Sequence, residues 1–265
     1  MDMGVIMATI TTSLTNAEYR SVAAVSKSDL DLVAKSAALL EWSRNAPRGE
    51  CNATEIIGTA THCATLEADR FAVDYVKSPK IETRSNAGKA AAAAFAESCK
   101  DKIVLSADDY EMTEAMRDSV LAHPVARELL TSEGQSEASI FFEVNGIKCK
   151  CRPDRIVANR HILADLKTTD DIDKFYWSVR DYRYHVQDAS YSEGYFQLTG
   201  EWPRFIFVVV GKKRVFGRHP VRVFELSQEW KDQGRAEFMR DLETYRDYLE
   251  FGCGLEVETL AFRNK

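Results

Sequence analysis

The stretch Lys148-Cys-Lys-Cys-Arg-Pro-Asp154-Arg-Ile-Val-Ala-Asn-Arg-His-Ile-Leu-Ala-Asp165-Leu-Lys167-Thr-Thr decides the fold. Its pattern predicts a strand over Ile147–Val157, a turn at Ala158-Asn-Arg, and a second strand over His161–Thr168. Residues two apart on a strand share a face, so Asp165 and Lys167 point the same way and Leu166 points into the opposite layer. Asp154 lies on the neighbouring strand, ahead of the turn, where the right register sets it beside Asp165. Two carboxylates are natural ligands for Mg²⁺, which keeps several waters and takes substrate phosphate as well. The Leu166 carbonyl can add a ligand. Lys167 can orient or deprotonate a water, or stabilise charge on a phosphate. Together these groups suit phosphodiester hydrolysis.

An acid-x-Lys triplet alone says little. A second one, Glu229-Trp-Lys231, lies in the C-terminal helical pattern and reads as a solvated helix face. The plain alternative for Asp165-Leu-Lys167 is an exposed ion pair on an amphipathic hairpin. Its setting distinguishes it: a strand, an acid eleven residues upstream across a turn, and a helix downstream.

At 265 residues and 45% hydrophobic content, the chain is long enough for one large domain with a sizeable core. A net charge of −6 does not mark a general nucleic-acid binder and counts mildly against one. Cations do cluster locally, at Lys148, Lys150, Arg152 and Arg155 and again at Lys212, Lys213, Arg214 and Arg218. The six cysteines follow no zinc-ligand spacing; Cys149-x-Cys151 is too close, and the set reads as reduced thiols of a cytosolic protein. Met1–Leu14 lacks the basic start and apolar core of a signal peptide. The longest apolar run, Phe205–Val210, is far short of a membrane span.

Periodicity predicts a helix from Ser26 or Ser28 to about Ser43, a loop over 46–52, and a helix from Thr54 to Asp69. Gly88–Cys99 and Glu111–Ala122 are also helical, so about 70–135 reads as a helical insertion. Strands follow at Ala138–Val144, past the hairpin turn Asn145-Gly146, and in the 147–168 pair. Thr169-Asp-Asp caps a helix, and a long helix covers Tyr184–Leu198. A buried strand at Pro203–Val210, an outer strand near Val221–Leu226 and a helix over Gln228–Phe251 complete the chain. The class is α/β (α+β): a mixed central sheet flanked by helices.

Two helices add polar side chains. Gly58-Thr-Ala-Thr-His62 sets a histidine one turn after a glycine that removes bulk beside the imidazole. Gln187 and Tyr191 are four apart and share a helix face, with Tyr184 one turn earlier. Each of these, taken alone, is commoner as a packed or surface side chain than as a functional one.

Four segments, in this order and spacing, resemble the RecB-type PD-(D/E)xK nuclease superfamily, and within it the RecE (exonuclease VIII) C-terminal domain and lambda-exonuclease-like nucleases. They are Gly58-Thr-Ala-Thr-His62-Cys-Ala-Thr-Leu-Glu67, Arg152-Pro-Asp154-Arg155, Asp165-Leu-Lys167-Thr-Thr and Gln187-x-x-x-Tyr191. The likeness spans about residues 25–225. It implies a restriction-endonuclease-like core within a single nuclease domain. It implies Mg²⁺-dependent digestion of double-stranded DNA ends, with Mn²⁺ able to substitute, in the 5′→3′ direction and leaving 3′ tails. It further implies a ring-shaped homo-oligomer, trimer or tetramer, and a single-strand annealing partner in phage-type recombination.

On this chain the resemblance makes Asp154 and Asp165 metal ligands, His62 a direct or water-mediated ligand, and Lys167 the residue at the nucleophile. Glu137 becomes the upstream acid, Gln187 and Tyr191 supports for Lys167 and the scissile phosphate, and Ser26, Ser28, Arg44 and Arg152 contacts to DNA or a 5′-phosphate. Some relatives hold an iron–sulfur cluster with one early and three late cysteines. Here only Cys253 is late, so no cluster is expected. The other readings are an endonuclease or repair nuclease on the same fold, a catalytically silent DNA-binding relative, and a metal-dependent enzyme on a small substrate.

Overall fold

The structure is a computed structural model describing residues 8–47, 53–82 and 84–253. The chain opens with β1 (Thr9–Thr11), α1 (Asn16–Ser21), α2 (Lys27–Val33), α3 (Ala37–Asn45), α4 (Ala53–Leu66) and α5 (Ala68–Asp74). Then come β2 (Tyr75–Lys77), α6 (Asn86–Ser98), β3 (Ile103–Leu105), α7 (Ala107–Ala122) and α8 (Pro124–Thr131). The sheet-rich part has β4 (Gln135–Ser136), β5 (Ser139–Val144), β6 (Ile147–Cys151), β7 (Arg155–Val157) and β8 (Ile162–Thr169). It continues through α9 (Phe175–Asp181), α10 (Tyr184–Thr199), β9 (Arg204–Gly211) and β10 (Val221–Glu225), and α11 (Gln228–Phe251) follows.

The central sheet has the order β10-β9-β8-β7-β4, with β8 and β9 parallel and its other pairs antiparallel. A second sheet, β1-β5-β6, is antiparallel, and β2 pairs with β3 in parallel. Strand β9 is buried on both faces, as a parallel strand at the centre of a layered fold must be. Phe205, Phe207 and Val209 face a core shared with α10 and α11, while Ile206, Val208 and Val210 face one shared with α7 and α8. The same alternation in β8 sends Leu166 into the second core with Ile57, Met116 and Val120. Asp165 and Lys167 therefore lie on the opposite face.

Three sequence expectations need correction. The single strand over Ile147–Val157 is two strands in two different sheets, β6 and β7. Pro153 stands at the break; it offers no N–H to a ladder and fixes φ, so pairing ends there. The single helix from Ser26 to Ser43 is also two, because Ser36 is extended (φ −170°, ψ 135°) between α2 and α3. Ser26 does cap α2, its hydroxyl accepting from the Asp29 N–H in a reciprocal capping box.

The expected helix Thr54–Asp69 is likewise divided, at Glu67 (φ −136°, ψ 57°) between α4 and α5, while elsewhere the pattern and the structure mostly agree. Asn145 and Gly146 both have positive φ (52° and 82°), the geometry a two-residue hairpin turn demands. Asp171 caps a short 3-10 turn, Ile172–Lys174, that leads into α9. The stretch 70–135 holds α6, α7, α8 and the β2–β3 pair, with Pro124 opening α8 at a position where its missing N–H costs nothing. The predicted loop over 46–52 falls mainly outside the described residues. Cys149 and Cys151 are core side chains, and the described cysteines are free thiols. Among the described residues no helix is long and apolar enough to cross a membrane.

Candidate active site

Asp154 occupies the point where the chain passes from one sheet to the other. The antiparallel register Arg155↔Ala164, continued by one residue, sets Asp154 opposite Asp165. With β7 ended, the Leu166 N–H has no strand partner there and donates to Asp154 Oδ2 at 2.6 Å. The N–H and C=O of one strand residue point to the same lateral side, so the Leu166 carbonyl also faces this gap.

Helix α4 brings His62 to the same carboxylate, with Nδ1 3.3 Å from Asp154 Oδ2. Gly58 faces β8 rather than the imidazole: a Cβ there would sit 3.5 Å from Thr168 Oγ1, an ordinary contact. The glycine is therefore not what makes room for His62. Glu137, expected to open the strand before Asp154, lies instead between β4 and β5 with φ 52°, its N–H donating to the Asp154 carbonyl at 3.2 Å. His62, Glu137 and Asp154 each offer a ligand atom, all within 4.8 Å of one another.

Asp165 is buried and held from two sides. Gln187 Nε2 donates to its Oδ1 at 2.5 Å, and Lys167 Nζ lies 2.6 Å from its Oδ2. This revises the role expected of Gln187, which supports the carboxylate and not the lysine. The residue against Lys167 is Tyr184, whose ring centroid is 4.7 Å from Nζ. Tyr191 packs edge-on to Phe205 with 6.0 Å between centroids and faces the same cleft as Lys167 and Gln187.

The charges are interdependent. Burial works against the charge on Asp154, yet His62, Lys167 and the Leu166 N–H hold its carboxyl below the ordinary carboxylate range. Burial pushes the Asp165 carboxyl up and Lys167 pulls it down, with a net rise. Burial also opposes the Lys167 ammonium, but Asp165, Tyr184 and Asp154 outweigh it and raise its pKa. These neighbours favour the charged form of Lys167, a hydrogen-bond donor. His62 follows the same logic, burial being overcome by Asp154. Glu137 is pushed up to about 7 by burial and by Asp154.

Lys167, Gln187 and Tyr191 open onto a cleft of about 850 Å³. Ser26, Ser28, Arg44 and Arg152 line it too, so all four share the cleft onto which Lys167 opens. Eight cationic side chains and three carboxylates face this cleft, a balance that suits a phosphate backbone despite the net negative chain. Some of those cations are already engaged. The Arg152 guanidinium binds Ser139, Asn16 and the Leu14 carbonyl and stacks on Tyr19. Lys150 binds the carbonyls of Tyr19, Arg20 and Val22. Arg155, which does not line the cleft, binds Ser136 and the Ser132 carbonyl. The basic run in the sequence is therefore mostly internal bracing.

Arg44 is engaged as well, 3.1 Å from Tyr245 Oη, 3.7 Å from Asp29 and over the rings of Tyr245 and Tyr248. Lys27 and Tyr184 escaped the sequence reading as site residues. Lys27 Nζ pairs with Asp31 at 2.6 Å and lies 6.0 Å from the Tyr184 ring, lining the cleft with Lys167. The only signal for Tyr184 is its place one turn before Gln187. The decoy Glu229-Trp-Lys231 has no such setting; Lys231 pairs with Glu225 at 2.9 Å on the outer surface.

A family model described as a PDDEXK-like domain of unknown function, DUF3799, matches residues 26–251. The chain belongs to this family. Its α+β architecture is the PD-(D/E)xK one. A crystal structure from Eubacterium rectale, of a protein provisionally named an exonuclease, superposes with a TM-score of 0.65 at 17% identity, over 89% of this chain and 86% of that one. A phage-related exonuclease from Haemophilus somnus 129PT aligns with a TM-score of 0.32 and 13% identity, over 72% of this chain and 94% of that one. No curated protein shows significant similarity.

The residues present fit a divalent cation. Carboxylate oxygens dominate the set, with a carbonyl facing the gap and one imidazole beside it. Asp154 is shared between the His62–Glu137 side and the Asp165–Lys167 side.

Proposed function

We propose that this chain is a Mg²⁺-dependent exonuclease acting on the ends of double-stranded DNA. The observation that carries the reading is the convergence of Asp154, Asp165 and Lys167 with His62 and Glu137 at the edge of a cationic cleft. His62, Glu137, Asp154, Asp165 and the Leu166 carbonyl would hold the ion, and Mn²⁺ would serve in place of Mg²⁺. When bound, the cation supplies charge neutralisation at the scissile phosphate.

The chain's own groups do the rest. The Leu166 N–H and His62 fix the orientation of Asp154. Gln187 fixes Asp165, leaving Lys167 poised between Asp165 and Tyr184. In its charged form Lys167 donates to an attacking water or to a phosphate oxygen, stabilising charge that grows in the transition state. Ser26, Ser28 and Arg44 line the cleft where a terminal phosphate would enter. The 5′→3′ direction, the 3′ tails, processive action as a ring of three or four copies, and an annealing partner rest on the resemblance to RecE-type nucleases.

The test compares 5′-phosphorylated linear duplex with covalently closed circular duplex, in Mg²⁺ and in EDTA. The reading expects loss of the linear form alone, and only with Mg²⁺. Equal cutting of the closed form would replace it with an endonuclease, and Mg²⁺-dependent digestion surviving Asp165→Ala would remove these residues from the chemistry.

A further inference from the structure

The loop joining β9 to β10, Lys212-Lys213-Arg214-Val215-Phe216-Gly217-Arg218, is a tight hairpin. Val215 and Arg218 exchange backbone hydrogen bonds of 2.7 and 3.1 Å. The two residues between them, Phe216 and Gly217, have φ of 50° and 80°. Such a turn favours Asn, Asp or Gly at its first position, and a bulky aromatic there is an outlier. The Phe216 side chain is also completely exposed, at 102%. An apolar ring is thus held in water on a disfavoured backbone, and no packing within the described residues offsets either cost. Strain of this kind points to function at the site that bears it.

Two further observations say what the ring meets. Lys213, Arg214 and Arg218 are exposed on the same short loop. The nearby carboxylates are Asp170, which pairs with Lys212 at 3.3 Å, Asp171 and Glu111, so a cationic surplus remains at the tip. Secondly, the hairpin leaves the sheet beside the candidate site. The Lys212 N–H donates to the carbonyl of Thr169, two residues past Lys167 on β8. Lys212 also lines a second cleft that shares Tyr182 and Tyr184 with the first. From Lys212 to Phe216 an extended chain reaches about 13 Å, the length of roughly four base pairs. The tip therefore lies four residues beyond a backbone contact with the strand that carries Lys167.

We infer that Phe216 is a wedge for duplex DNA: it stacks on or between bases near the end held at the site, while Lys213, Arg214 and Arg218 grip the flanking phosphates. Apolar side chains inserted at base steps and aromatic rings stacked on unpaired bases are the known physical uses of such a group. The inference rests on the nuclease reading above.

The test uses the full chain in EDTA with a linear duplex carrying 2-aminopurine near one end. The wild type is expected to raise the fluorescence as the base unstacks. Phe216→Ala abolishes the rise and weakens binding about 5- to 150-fold, the worth of one stacked base. Phe216→Trp keeps both, with its own emission quenched by DNA. Phe216→Gly melts no lower than wild type, because glycine accepts the turn, yet fails as Phe216→Ala does. An unchanged fluorescence rise in Phe216→Ala overturns the wedge. If the tip instead binds phosphatidylserine vesicles in a Phe216-dependent way and leaves DNA unaffected, the wedge is likewise overturned. Wild-type protein that neither binds duplex nor cuts it in Mg²⁺ removes the nuclease reading as well, whereas cutting without the fluorescence rise removes the wedge alone.

Discussion

Asp154 reaches the site because a proline breaks the strand beneath it, and Asp165 because strand alternation turns it away from Leu166. The pair is then tuned by single contacts. Gln187 Nε2 on Asp165 is one of them, and removing a support of this kind costs about 10- to 100-fold in activity or metal affinity. Gln187→Ala is therefore expected to lower kcat within that range, with the fold unchanged by circular dichroism. Glu137 sets the pH response. Its carboxyl is pushed up to about 7, so protons compete with a cation below that pH. Divalent-cation affinity measured by calorimetry is expected to rise from pH 6 to 8 with proton release, and Glu137→Gln is expected to reduce the rise, leaving the part owed to His62, whose pKa Asp154 raises. Asp165-Leu-Lys167 was legible at this scale because a period of two dictates which residues share a face. The partner of Gln187 was not, since it lies on another element.

Helix α10 shows how one element serves both core and site. Tyr184, Gln187 and Tyr191 face the cleft, while Asp188 is buried and bonded to Ser192 Oγ at 3.0 Å. Burial pushes the Asp188 carboxyl up from 3.8 to about 6. A folded-state pKa above the unfolded value means that the native state holds the proton more tightly. The associated stability is complete below the unfolded value and is lost as pH rises through about 6. Asp188→Asn is expected to stabilise the protein at pH 8 by on the order of 1–3 kcal/mol relative to wild type. Near pH 4 the gain should vanish, and urea melts at the two pH values check this. The long helices and β9 were legible from periodicity. β1, β4 and the β2–β3 pair were not, because two- and three-residue strands carry no period and exist only through partners far along the chain.

At the scale of the molecule, close approach of backbones holds the site's elements in place. Helix α11 meets the start of α10 at Gly234, where a Cβ would lie 2.1 Å from the His185 carbonyl oxygen. No side-chain rotation relieves a clash with backbone. Gly234→Ala is expected to cost about 1–3 kcal/mol in denaturant melts, and to disturb the first turn of α10, which carries Gln187. Nearby, Arg183 ties three helices together through Asp31 of α2 and Glu237 and Asp241 of α11, with φ 53° at the head of α10. By itself the sequence determined the α+β class, the long helices and central strands, and the shared face of Asp165 and Lys167, because these follow from local periodicity and turn chemistry. Only the tertiary structure decided that Pro153 separates two sheets, that Glu137 and His62 meet Asp154, that most of the basic run is internal bracing, and that a phenylalanine stands exposed on a left-handed backbone at the tip of the β9–β10 hairpin. Those outcomes depend on which distant surfaces pack together, and no local pattern encodes that.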